Sequence, residues 1–293
     1  MNYRTDLAVE NQEMLEKRGS KLEGIEKDIK VVDDNISVTR ITIKNELGEK
    51  MFNKKRGTYV TLEVTGIGEG SDDIKEKAAK TLAEYIKEFI PFHYYLKVLL
   101  IGLGNEKVTA DSLGPHTVDK VKITSHLFKI FDCDGDEEMA NVSGFNPSVT
   151  GVTGLETADV IESLVKMTEP EVVLVIDSLA ARNIERVSTT IQLCDTGISP
   201  GAGMGNRRKE ISQETLGCRV ISVGVPTVID SRTLIMEAAE ELHLAGEPQL
   251  MKYFETRKMD MIVTASDIDQ IIKDFSDIIS KAINISLHPG IYF

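Results

Sequence analysis

Two short, almost wholly apolar runs organise the middle of the chain: Val98-Leu99-Leu100-Ile101 and Val172-Val173-Leu174-Val175-Ile176. Apolar runs of this length bounded by turn residues predict buried parallel strands. Residues 37–43 and 58–64 alternate instead; Val60, Leu62 and Val64 fall on one face while Thr61 and Glu63 fall on the other, the pattern of a half-buried strand. Residues 219–225 predict a third buried strand, and residues 187–193 a further one.

Between these runs the period changes to that of helices. Ile74, Ala78, Leu82, Tyr85, Ile86 and Phe89 recur every three or four positions behind Ser71-Asp72-Asp73, and Pro91 ends the segment. Helices are also expected from Pro115, over residues 156–167 and 231–242, and along a C-terminal stripe from Ile268 to Ile283. Residues 9–24 are charged and predict an irregular or helical arm, and Asn45-Glu46-Leu47-Gly48 predicts a turn. Strands alternating with helices give the expected fold class: a three-layer αβα domain with a largely parallel or mixed central sheet and embellished edges.

The 293 residues, 41% hydrophobic, can bury one large core. A net charge of -13 disfavours a nucleic-acid or anionic-membrane surface, which requires basic patches. Three cysteines without CxxC spacing fit a reducing compartment better than a disulfide framework. No apolar stretch approaches the roughly 20 residues that cross a bilayer, and no hydrophobic region follows the N-terminus. A soluble, intracellular protein is the expectation.

The chemistry gathers just past the two apolar runs. Gly102-Leu103-Gly104-Asn105 follows the first and leads to Asp111; Asp177 directly follows the second. Ligands of open α/β sheets collect beyond the carboxyl ends of such strands, so two carboxylates are delivered to one crevice. The dinucleotide reading of the glycines fails, because the third glycine of G-x-G-x-x-G would fall at Lys107. The segment from Gly201 to Arg208, with Gly203 and Gly205, could offer backbone N–H groups to a substrate strand, or be a surface connection. The five histidines lack metal-ligand spacing, and neither a Ser-His-Asp triad nor a cysteine nucleophile is indicated.

Taken together, Arg4 to Glu10, Gly102 to Pro115, Ile176 to Arg182, Ser199 to Arg207 and Val223 to Asp230 resemble the spore germination proteases, endopeptidases that degrade small acid-soluble spore proteins. The strand–GxGN–loop–acid–LG pattern is also similar to that of hydrogenase-maturation endopeptidases. The resemblance implies a catalytic pair at Asp111 and Asp177. It further implies a zymogen that removes residues 1–6 from a 7–293 protease domain by cutting Asp6–Leu7 within Thr5-Asp6-Leu7-Ala8-Val9-Glu10. Cleavage after Glu or Asp and before a bulky apolar residue and alanine is the specificity it implies. A homotetramer in the cytoplasm of the forespore or spore core is implied as well, without nucleic-acid or membrane partners.

Asn105, Gly201, Gly203, Gly205, Arg182 and Arg207, with Arg208, are the candidate substrate-binding residues. The arginines suit the substrate's acidic side chain, because guanidinium matches carboxylate geometry. Paired carboxylates that cannot both easily ionise can activate water without a cofactor or metal. Two other readings use the same residues: a metal-dependent maturation-type protease with the aspartates as ligands, and a non-catalytic binding protein in which they cap loops.

Overall fold

The computed structural model describes residues 5–17, 19, 23–68, 70–201, 208–244, 248–257 and 261–292. Its centre is a mixed sheet of β1 (Ile25–Val31), β2 (Ile36–Ile43), β3 (Gly57–Val64), β4 (Lys97–Gly102), β5 (Asn141–Phe145), β6 (Val172–Ala181), β7 (Thr190–Cys194), β8 (Arg219–Asp230) and β9 (Ile262–Thr264). The order is β1-β2-β3-β7-β8-β6-β4-β5, with β9 paired to β8. β8, β6, β4 and β5 run parallel, whereas β1, β2, β3 and β7 join antiparallel. Among the described residues three of the strand pairings are parallel and five antiparallel, because β1, β2 and β3 follow one another as a meander and β7 and β9 join the sheet antiparallel.

The helices are α1 (Ala8–Lys17), α2 (Glu46–Phe52), α3 (Asp72–Phe89), α4 (Leu113–Val118), α5 (Ser125–Phe131), α6 (Thr150–Thr153), α7 (Thr157–Thr168), α8 (Gln213–Leu216), α9 (Ser231–Glu241), α10 (Pro248–Thr256) and α11 (Ile268–Leu287). α3 and α11 cover one face of the sheet, where Leu82, Ile86, Phe275 and Ile279 meet Val60, Leu100, Leu174 and Val223. On the opposite face, Ile161 of α7 packs with Leu99, Ile101, Val173 and Val175. Among the described residues, no helix is long and apolar enough to cross a membrane.

Several elements differ from the sequence expectation, each for a local reason. The expected N-terminal arm is the docked helix α1: Leu7, Ala8 and Val9 enter a core cluster with Ile41, Phe52, Tyr59 and Ile229. β3 is consequently buried on both faces, with Tyr59 and Thr61 covered as well. The expected turn at Asn45 is a helix start, since Asn45 Oδ1 accepts the N–H of Gly48 at 3.0 Å. β6 does not stop at Ile176. It continues beside β8 to Ala181, beyond the point where its other neighbour, β4, has ended at Gly102.

Candidate active site

Asp177 lies at the first position of β6 past the end of β4, and Leu103 N donates to Ile176 O at 2.8 Å as the β4 chain turns away. The side chain thus borders sheet on one flank and loop on the other, and it is only 7% exposed. Its Oδ1 accepts the N–H of Ser178 at 2.9 Å. Asp111 closes a short 3-10 turn, Thr109–Asp111, in the loop after β4. The N–H of Asn105 is shared between Asp111 Oδ2 (3.0 Å) and Asp111 O (2.9 Å).

Two glycines make that loop possible. Gly104 has φ +111°, and a Cβ there would stand 2.0 Å from Asp111 O. Gly114 packs so closely that a Cβ would lie 2.3 Å from Leu103 O. The GxGN…LG pattern therefore encodes backbone-on-backbone contact that aims Asp111. Thr227 Oγ1 adds a hydrogen bond to Ala110 O at 2.6 Å.

Both carboxylates line a cavity of about 450 Å³ with Asp6, Gly201, Arg208 and Thr227. Burial pushes the Asp111 carboxyl up to about 6, against the lowering effects of the Asn105 N–H and the Arg208 charge. Asp177 is held well above the usual carboxylate range, first by burial and then by the negative charges of Asp111 and Asp6. Two carboxyls so placed retain a proton between them at pH values where an exposed pair has lost both.

Asp6 is tied to β6 in this site by one backbone and one side-chain hydrogen bond. Its N–H donates to Ala180 O at 2.9 Å, and its Oδ2 accepts the N–H of Ala180 at 2.9 Å. Its carbonyl oxygen accepts from Lys54 Nζ at 2.9 Å and from Gln192 Nε2 at 3.0 Å. Gln192 Oε1 in turn accepts the N–H of Ala8 at 2.7 Å, so one side chain spans Leu7. The Leu7 side chain is fully buried in the apolar cluster of Tyr59, Leu179 and Ile229. Asp6 and Leu179 also line a second cavity of about 520 Å³ with Lys54, Tyr59, Gln192 and Gly224, so the two cavities meet at Asp6.

The structure brings Asp111, Asp177, Asp6 and Gly201 together. Asn105 turns its backbone N–H onto Asp111, and its side-chain Oδ1 accepts from Lys107 N at 3.1 Å. Arg182 lies outside the cavity lining: its guanidinium meets Glu240 at 3.1 Å, and its N–H donates to Glu10. Arg208 does line the cavity, with Nη1 on Thr150 Oγ1 at 2.9 Å. Gly203, Gly205 and Arg207 fall outside the described residues. Lys54 and Gln192 were not expected at the site. The signal for Gln192 was a lone polar residue between Ile191 and Leu193, and for Lys54 the basic stretch Asn53-Lys54-Lys55-Arg56. Among the described residues, no group of three or more His, Cys, Asp or Glu is arranged to hold a metal ion.

The sequence from residue 3 to 246 matches the family model for germination protease. The chain belongs to the germination protease family. Full-length relatives agree. The germination protease of Caldanaerobacter subterraneus subsp. tengcongensis is 37% identical over 99% of this chain and 96% of its own length. That of Clostridium tetani is 37% identical over 99% and 97%, and that of Bacillus mycoides 34% over 99% and 95%. Membership of the germination protease family makes the chain a peptidase.

Proposed function

We propose that the chain is a self-processing zymogen that cuts its own Asp6–Leu7 bond, and that it then cuts small acid-soluble spore proteins during germination with the same aspartate pair. The observation that carries this reading is the position of Asp6. It is hydrogen-bonded along β6 at Ala180, lines the cavity that holds Asp111 and Asp177, and is followed by a buried Leu7. An acidic residue, a bulky apolar residue in an apolar pocket and an alanine are arranged as a substrate segment would be.

In the reaction, water adds to the Asp6 carbonyl carbon while the ionised member of the pair takes its proton. Asp111 suits this part, being less buried and facing the Arg208 charge. The protonated member, Asp177, then gives its proton to the Leu7 nitrogen as the C–N bond breaks, leaving a carboxylic acid on Asp6 and an amine on Leu7. Each such positioned proton transfer typically contributes about 10²–10⁴-fold. In substrates cut in trans, the acidic side chain before the scissile bond takes the place of Asp6, and the apolar cluster around Leu7 takes the bulky residue after it.

Intact mass followed over time tests the reading. Loss of residues 1–6 from the wild type, but not from Asp177→Asn or Asp111→Asn, is the expected result. Cleavage at Asp6–Leu7 in both variants would reduce the aspartates to structural residues.

A further inference from the structure

Resting on the reading that Asp6–Leu7 is the bond to be cut, we propose that Lys54 and Gln192 are catalytic residues that bind the scissile carbonyl oxygen and stabilise the negative charge that develops on it. When water adds to the carbonyl carbon, the C=O electron pair moves onto oxygen. Preorganised donors aimed at that oxygen are worth more than any comparable contact in water. Here the two donors are already in place, at 2.9 Å from Lys54 Nζ and 3.0 Å from Gln192 Nε2. Both are hydrogen-bond distances to the ground-state carbonyl oxygen, the atom on which the charge would develop.

The sheet register sets Gln192 and Asp177 on one face of the sheet, next to the cavities that meet at Asp6. Gln192 pairs with Gly224 across β7 and β8, and Gly224 pairs with Asp177 across β8 and β6. Side chains of directly paired residues rise on the same face, so Gln192 and Asp177 flank a glycine, with their backbones two strand spacings, or about 10 Å, apart. A Cβ on Gly224 would stand 2.6 Å from Leu179 Cγ and 2.8 Å from Asp177 O. The space over Gly224 is thus taken by Leu179, whose side chain packs between donor and acid where no other side chain fits.

Lys54 reaches the same oxygen because α2 ends there. Asn53 adopts the left-handed conformation at φ +51°, and Lys54 leaves the helix at that bend with its N–H on Glu49 O. Its ammonium stands 6.0 Å from the centre of the Tyr59 ring, which lines the same cavity. The Lys54 cation against the forming oxyanion matters in a site that already holds the carboxyls of Asp6, Asp111 and Asp177. Both donors engage main-chain oxygen, a group every peptide substrate presents, so the same pair serves cleavage of other chains. Gln192 adds alignment by holding the Ala8 N–H, two residues past the bond's acidic side.

The test is the self-cleavage rate of the full chain by intact mass, with amide exchange protection at Ala8 read in parallel. Lys54→Met and Gln192→Glu, which keeps the acceptor for Ala8 N but loses the donor, are each expected to cut about 10²–10³-fold more slowly with protection retained. Lys54→Arg, which keeps a cationic donor, is expected to stay within about tenfold of wild type on the same grounds. Rates of Lys54→Met and Gln192→Glu within threefold of wild type would overturn the assignment. Slowing accompanied by loss of protection at Ala8 would overturn it too, in favour of a clamp that merely seats the N-terminal segment. Failure of the wild type to cut at Asp6–Leu7, or cutting by Asp177→Asn, would instead sink the underlying reading.

Discussion

Glu10 Oε2 accepts the backbone N–H of Arg182 at 2.8 Å, tying α1 to the end of the strand that carries Asp177. Its other oxygen accepts the N–H of Asn183 at 2.9 Å, and Thr5 Oγ1 donates to Oε2 while accepting the N–H of Leu7. The carboxyl is 1% exposed, and burial pushes it up despite these hydrogen bonds. Replacing it leaves two strand-end amides without their acceptor.

Glu10→Ala is therefore expected to cost about 3 kcal/mol of folding stability, from orphaned buried donors at roughly 1–3 kcal/mol each. Urea denaturation reads this directly. An unchanged midpoint would mean that the N-terminal helix contributes nothing to the stability of β6.

The rate of self-cleavage should rise with pH through about 6, as Asp111 ionises, and fall again at higher pH as Asp177 loses its proton. A rate profile from pH 4 upward checks the rising limb directly. A rate that does not rise through about pH 6 would remove Asp111 as the base.

Asp6 is one of the charges that hold Asp177 up. In Asp6→Asn, the Asp177 carboxyl should titrate at lower pH, as followed by carbon-13 NMR of the side-chain carboxyl in an uncut sample. No displacement would show that the two groups do not sense each other.

Buried carboxyls placed this way weaken the fold at neutral pH. A folded-state pKa raised above the unfolded one means that the folded chain binds the proton more tightly, so stability is lost as pH rises through that window. For Asp111 the window runs from 3.8 to about 6, which at about 1.4 kcal/mol per pH unit amounts to ~3 kcal/mol. Asp111→Asn is thus expected to gain stability relative to wild type by about this much between pH 4 and pH 7. Equal denaturation midpoints for the two proteins at both pH values would contradict it.

Gly104→Ala places a methyl group on Asp111 O at a φ of +111° that alanine rarely adopts. The loop must move, so self-cleavage should fall by at least about 10²-fold, since small misplacements of a reacting group are that costly. Thermal denaturation of the variant separates this local effect from loss of the whole fold.

How much of this was legible in sequence follows from what each residue does. Asp111 and Asp177 could be found because short apolar runs bounded by turn residues announce buried strands, and chemistry at their ends follows from sheet geometry. α3 and α11 were legible from their 3.6-residue stripes, and α7 and α9 as helical segments beside the buried strands. β1 was not, because it is an edge strand whose Ile29 and Val31 remain exposed and so carry no inward pattern. α1 read as a charged arm because its burial depends on Leu7, Ala8 and Val9 docking on β2 and β3, a long-range contact. Lys54 and Gln192 meet only through the Asp6 carbonyl, and no spacing along a chain encodes such a meeting.

Asp6 fills the junction of the two cavities from within its own chain. A tethered segment competes with outside peptides at an effective concentration of the order of millimolar, whatever the protein concentration. Under the proposed self-cleavage each molecule would be its own stopper, and its release a first-order event, insensitive to dilution, crowding or the number of its neighbours. The lag before such a population became active would be timed by the chemistry of a single bond.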